Sequence, residues 1–224
     1  MSAPRGFLHH NSLHMSDHGP VTVWMGWDLR GGSRAEPGSD EAFESSAPSY
    51  PNAEERYALI AVAARGFRPP GFLTSTDVAD ESDAEKSGVM DVEYSGLRQT
   101  WSLLYRRIME TSASVERPYA IYVLGVNPPS DVTPEDLEEF NDFYSNVHLV
   151  EVAERRHALR AVRYELIKEV RAPYQGAPQF LAVYELNEAS ASNRRHVGPP
   201  YSAGPDVWQR HTTPWRLWYR QLGN

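Results

Sequence analysis

The chain has 224 residues, 41% of them hydrophobic, and 22 Lys and Arg against 30 Asp and Glu give a formal net charge of −8. That length buries one good core or two small ones, while the acidic balance argues against a general nucleic-acid binder, which carries a basic field. No apolar run reaches the roughly 18 residues of a membrane span. The absence of cysteine excludes disulfides, thiolate metal sites and a cysteine nucleophile, and no apolar leader follows the first basic residue, so the expected location is cytoplasmic.

Residues 1–19 hold four of the eight histidines, His9, His10, His14 and His18, with no periodic apolar face around them. They read as a flexible extension, with Met15 as an alternative start. Val21 to Leu29 alternates as a strand does. Residues 31–52, rich in Gly, Ser, Pro, Ala and Glu, read as a long loop and a candidate lid. Asn52 is placed to cap a helix from Ala53 to about Ala64, ended by Gly66 and the Pro69-Pro70 pair. Phe72 to Val78 and Val89 to Tyr94 read as strands, and the acidic stretch Asp77 to Glu85 as a solvated loop. Leu97, Trp101, Leu104 and Ile108, spaced four, three and four, predict an amphipathic helix with Arg98, Arg106 and Arg107 toward water.

Tyr119 to Val126 is apolar and β-branched, the mark of a strand, and Asn127 to Asp131 is loop chemistry. Thr133 then suits an N-cap, Pro134 the first helical position, and Glu135 and Asp136 the positive end of the dipole. Thr-Pro-Glu-Asp is a capping box with Asp in the third place. Leu137, Phe140, Tyr144 and Val147 form one stripe, and the adjoining face presents Asn141, Tyr144, His148 and Glu151. Leu159 to Val170 and Gln179 to Leu186 read as strands, followed by a short helix near Asp206 to His211 and a last strand from Trp215 to Gln221. Element order is thus similar in two units, 20–116 and 117–224, although no residue-level repeat is visible between them.

A neutral imidazole takes or gives a proton near neutral pH, and a phenol or carboxylate one turn away can orient it. His148, with Tyr144 and Glu151, is therefore the candidate acid/base centre. Tyr122, Tyr164, Tyr184, Trp215, Trp218 and Tyr219 lie in predicted strands, where alternation directs several toward the helix-covered face. Arg163, and Arg171 beyond it, are candidates to hold a carboxylate or enolate, and His211 stands at a plausible pocket mouth. His157 reads as solvent-facing, and His196 has no partner at metal-ligand spacing. The His148/Glu151 pair binds a metal only with ligands from elsewhere, so none is expected. No GxGxxG, GxxxxGK[ST] or GxSxG motif supports nucleotide-dependent or serine-hydrolase chemistry.

The run Phe140-Asn-Asp-Phe-Tyr-Ser-Asn-Val-His148, followed by Leu159-Arg-Ala-Val-Arg-Tyr164, resembles the EthD-like branch of the dimeric α+β barrel superfamily over about residues 117–221. It departs from that branch at Leu149-Val150, where a small pair is usual. The resemblance implies an α+β fold: a ferredoxin-like four-stranded antiparallel sheet with helices on one face. Two such sheets, from two chains or from tandem units, close into a barrel, and a homodimer is expected. Relatives include cofactor-independent monooxygenases, polyketide cyclases, lactone isomerases and dehydratases.

The expected function is His148-centred acid/base chemistry, with no cofactor, on a hydrophobic aromatic or polyketide-like molecule: elimination, isomerisation or cyclisation. Asn141, Tyr122, Tyr164, Arg163, Tyr184, His211 and Trp218 would bind the substrate. A cofactor-free monooxygenase of the same fold and a non-catalytic small-molecule binding protein are the alternatives. A third class is an interaction subunit docking through Trp208, Trp215 and Trp218, but their alternation with Arg210, Arg216 and Arg220 favours a solvent-edged last strand.

Overall fold

The computed structural model describes residues 20–30, 39–46, 55–63, 68–86, 90, 94–111, 116–172, 176–193 and 200–223. The histidine-rich start, Gly66, His196, most of the expected strand from Val89 to Tyr94 and much of the expected loop 31–52 lie outside these residues.

The described residues form eight strands: β1 (Val21–Leu29), β2 (Glu55–Val62), β3 (Phe72–Val78), β4 (Leu97–Glu110), β5 (Ala120–Asn127), β6 (Arg160–Arg171), β7 (Phe180–Leu186) and β8 (Thr212–Gln221). They form a closed barrel in the order β1-β3-β2-β8-β5-β7-β6-β4, with every neighbouring pair antiparallel. Closure therefore happens within one chain. The helices are α1 (Ser39–Ser46), α2 (Glu81–Lys86), α3 (Pro134–Phe143), a π-helical turn at Tyr144–His148, α4 (Leu149–Arg156), α5 (Glu188–Ser192) and α6 (Asp206–Gln209).

Strand alternation sorts the core into three layers. Trp24, Tyr57, Leu59, Leu73, Trp101, Leu103, Tyr105, Tyr164, Leu181, Val183, Trp215, Leu217 and Tyr219 pack inside the barrel, where Trp101 and Trp215 stack with centroids 4.5 Å apart at 9°. The outer face of the first half (Val23, Met25, Trp27, Phe72 and Leu104) packs with Phe43 of α1 and Ala84 of α2. The outer face of the second half (Tyr122, Leu124, Ala182, Tyr184 and Trp218) packs with Phe140, Tyr144, Leu149, Val152 and Trp208.

Five expectations need correction. The helix expected over 53–64 is strand β2, and the helix expected over 97–108 is strand β4. Both strands are covered on two sides, and consecutive apolar residues at 57–62 in β2 and 103–105 in β4 leave no clean period of two. In β4, register shifts between Ser102 and Leu103, Leu104 and Tyr105, and Arg107 and Met109 further scramble the phase. The acidic stretch Asp77 to Glu85 is not a solvated loop: α2 occupies Glu81–Lys86 and buries Ala84, and Asp77 accepts from Thr22 and pairs with Arg107. Part of the expected loop 31–52 is helix α1. Finally, β8 is no edge, since it pairs with both β2 and β5; Trp208, Trp215 and Trp218 are buried at 5%, 2% and 7% exposure, which leaves no tryptophan patch for docking.

The sheet also reveals a residue-level correspondence between the halves. Gly26 faces Trp101 across β1–β4 as Gly125 faces Trp215 across β5–β8. A Cβ on Gly26 would lie 2.6 Å from Pro70 Cγ, and one on Gly125 would lie 2.6 Å from Pro178 Cγ. Tyr105 donates to Pro178 O at 2.7 Å and Tyr219 to Pro70 O at 3.1 Å. Arg56-Tyr57 stands opposite Thr74-Leu73 as Arg163-Tyr164 stands opposite Ala182-Leu181. These matches are single residues at spacings that differ from strand to strand, which is why no linear repeat shows in the sequence.

Candidate functional site

The correspondence isolates where the halves differ. Three residues from Gly26, Leu73 and Trp101, the outer face of the first half carries Val23, Thr76 and Leu104. At the same three places the second half carries Tyr122, Tyr184 and Trp218. Where the first half has two aliphatic side chains and a threonine, the second half has two phenols and an indole, and they lie beneath the helix that carries His148.

That helix begins as expected. Thr133 Oγ accepts from the Asp136 N–H at 3.1 Å and the Asp136 carboxylate accepts from the Thr133 N–H, completing the capping box. After α3 the chain takes one π turn, and the Leu149 N–H donates to Tyr144 O, five residues back. The extra residue shifts the buried face. Phe140 and Tyr144 are fully buried, and the next fully buried residue is Leu149 rather than Val147. His148 is thereby left half-buried at the edge of the core.

Four rings surround His148: Trp208 at 4.6 Å, Tyr201 at 5.1 Å, Tyr144 at 5.8 Å and Phe143 at 6.3 Å between centroids. Its Nδ1 is buried without a hydrogen-bond partner among the described residues. Burial, seconded by the nearby His211, lowers its pKa from 6.5 to about 4, so the imidazole is neutral at pH 7. The Tyr144 and Tyr184 hydroxyls are also buried without partners, and burial pushes both phenols above their ordinary range. Tyr122 stacks on Trp218 at 4.2 Å and lies 5.9 Å from Tyr184.

Arg163 lies beneath this group at 0% exposure. Its Nη1 donates to Asn141 O at 3.2 Å and Ser145 Oγ at 2.8 Å, and its Nη2 to Asn141 Oδ1 at 2.5 Å. The guanidinium carbon sits 4.4 Å from the ring centroids of both Tyr144 and Phe180. Burial lowers its pKa only to about 10, so it stays cationic. Arg156 lies 4.3 Å over the Tyr122 ring.

The structure thus brings together His148, Tyr144, Asn141, Arg163, Tyr122, Tyr184, Trp218 and His211, whose ring stacks on Trp208 at 4.1 Å. Tyr164 stands apart: it points into the barrel, 6.0 Å from Trp24. Arg171 is exposed at the end of β6. Glu151 does not hold the His148 ring; its carboxylate accepts from the Ser202 N–H at 3.0 Å and from the Ser202 hydroxyl. Together with Arg155, which donates to Pro200 O at 3.1 Å and covers the Tyr201 ring at 4.3 Å, it straps residues 200–202 across the site. Tyr201, Ser202, Arg156, Ser145 and Phe143 escaped sequence reasoning. Among the described residues no three His, Cys, Asp or Glu side chains gather as a metal site, and no helix is long and apolar enough to cross a membrane.

No protein-family model and no curated protein matches this sequence. Solved structures do. An anthrone oxidase-like protein superposes with a TM-score of 0.51 at 11% identity, over 93% of this chain and 93% of that chain. A chlorite dismutase from Candidatus Nitrospira defluvii gives a TM-score of 0.50 at 12% identity, over 92% of each chain. At these identities the likeness shows the fold alone, an antiparallel eight-stranded α+β barrel.

Proposed function

We propose that the protein is an enzyme in which His148 abstracts a proton next to a carbonyl of a hydrophobic, aromatic or polyketide-like molecule, without metal or organic cofactor. The observation that carries this reading is the state of His148 itself: a neutral imidazole walled by four rings, with a buried Nδ1 that has no hydrogen-bond partner among the described residues. A base in that state loses no protein hydrogen bond when it takes a proton. The unpartnered Tyr144 and Tyr184 hydroxyls are donors for the oxyanion that forms as the proton leaves. The enolate then eliminates, isomerises or closes a ring.

A cofactor-free monooxygenase is the second reading, and it differs in the electron acceptor. Dioxygen takes electrons from the carbanion, so that a methylene becomes a carbonyl and the other oxygen atom leaves as water. It is favoured by the walls of the site, whose phenols are pushed away from acidity by burial and so are poor proton donors to a carbanion. The EthD-like assignment of the second half, a homodimer formed through the outer surface, and descent of the two halves from tandem units belong to the same proposal.

The test is a thermal-shift and turnover screen of anthrones, phenolic 1,3-dicarbonyls and aromatic lactones on wild type and His148→Ala, with dissolved oxygen followed throughout. Stabilisation of both proteins with conversion by the wild type alone is expected. Oxygen uptake selects the second reading. Equal stabilisation without turnover by either protein replaces catalysis with ligand binding.

A further inference from the structure

Charge is unevenly distributed around the His148 site. The guanidiniums of Arg163 and Arg156 each cover a tyrosine ring of the site, and Arg216 reaches Tyr122 electrostatically. Arg155 stands at the outer end, over Tyr201. Among the described residues two carboxylates act on this cluster, Glu151 on His148 and Glu165 on Arg163. Glu151 is occupied by Ser202, and Glu165 acts on Arg163 at a distance while the Arg163 hydrogen bonds go to a carbonyl, an amide and a hydroxyl oxygen. Among the described residues the Nε groups of Arg156 and Arg163 are buried without hydrogen-bond partners, like the hydroxyls of Tyr144 and Tyr184. A buried guanidinium without a hydrogen-bonded counter-ion is costly in a packed interior unless an anion completes it.

We propose that the site binds its ligand as a phenolate or enolate, the oxyanion of a planar aromatic acid, which supplies the negative charge that Arg163 and Arg156 lack. This rests on the reading of His148 as the base, and it makes the stabilised product of that proton transfer the best-bound form of the substrate. The Tyr144 and Tyr184 hydroxyls donate to the oxyanion, the guanidiniums act through the rings they cover, and Trp208, Tyr201 and Phe143 take the planar body. His148, His211, Tyr122, Tyr144, Tyr184, Tyr201, Arg155, Arg156, Arg163, Arg216, Glu151 and Glu165 are the titratable or charged groups facing it. Over the pH range of the test His148 stays neutral while the ligand changes charge.

The probes are para-nitrophenol, whose yellow anion and colourless acid absorb differently, para-nitroanisole, its uncharged ether, and para-nitrobenzoate. At a pH near the pKa of free para-nitrophenol, binding to the full chain is expected to raise the yellow fraction. Para-nitroanisole is expected to bind at least about tenfold more weakly, the scale of one charge-assisted hydrogen bond. Arg156→Met, at a half-buried position that tolerates the change better than Arg163, lowers affinity for the anion about tenfold and leaves that for the ether unchanged. The imidazole resonances of His148 report whether the probe occupies the site. A bound but colourless probe that shifts His148 overturns the anion inference and leaves the base reading standing. Anion binding with full turnover by His148→Ala overturns the base reading instead. Preference for para-nitrobenzoate overturns the phenolate assignment in favour of a carboxylate, and failure of all three probes to bind overturns both readings.

Discussion

Tyr144 and His148 are separated by four residues, which in a regular helix would put both on one buried stripe. The π turn lets Tyr144 go fully into the core while His148 stays at its rim. His148 is therefore neutral because of where it is held, and its titration has a consequence for stability. The folded protein keeps its pKa near 4 against an ordinary 6.5, so between those values the unfolded chain binds more protons. Stability from this residue is complete above about pH 6.5 and is lost as the pH falls toward 4, by at most roughly 3 kcal/mol and less for partial exposure of the ring. Nuclear magnetic resonance titration is expected to find one imidazole that stays neutral down to about pH 5. Denaturant unfolding is expected to show a smaller loss of stability on acidification for His148→Gln than for wild type. Equal losses in the two proteins would contradict the burial that the structure assigns to the ring. His148, Tyr144, Asn141 and Arg163 were legible in the sequence because helical spacing and one strand pair bring them together. Tyr201, Ser202 and Arg156 were not: Arg156 closes α4 and meets the site only through the Tyr122 ring of another element, and residues 200–202 belong to an irregular segment about 50 positions later with no period to read.

At the scale of elements, the helix of the second half was legible down to its cap, whereas β2 and β4 were not. Local chemistry decides a cap: Thr133, Pro134 and Asp136 satisfy free N–H groups whatever lies beyond them. A barrel strand covered on both sides is decided by its partners, and Ala58, Leu59 and Ala61 in β2 would suit a helix equally well in isolation. Thr133→Ala is expected to lower stability by about 1 kcal/mol while turnover and ligand affinity stay unchanged, because the cap lies about four turns from His148; calorimetry alongside kinetics checks both halves of that statement. Glu151 belongs to the same scale, as the anchor of residues 200–202. Glu151→Ala is expected to speed amide hydrogen exchange at Tyr201 and Ser202 and to raise KM. Unchanged exchange there would show that the strap does not depend on this carboxylate.

For the molecule as a whole, the two halves are welded by the β2–β8 and β4–β6 seams and by the shared Trp101–Trp215 stack. A single cooperative unfolding transition follows. Gly26→Ala and Gly125→Ala each drive a methyl into a proline ring at 2.6 Å, and each is expected to destabilise by about 1–3 kcal/mol through overpacking. Similar losses in the two variants would support the equivalence of the halves, and tolerance of one but not the other would break it. What distinguishes the halves is the outer face, where Tyr122, Tyr184 and Trp218 replace Val23, Thr76 and Leu104, and the account places all the chemistry on that side. The most direct test of this central claim is solvent-deuterium exchange into the acidic methylene of an anthrone, followed by nuclear magnetic resonance under nitrogen so that no oxidation follows. Wild type is expected to accelerate the exchange and His148→Ala to lose that acceleration by at least about a hundredfold, the scale of a general base. Undiminished exchange by a folded His148→Ala protein would contradict the account.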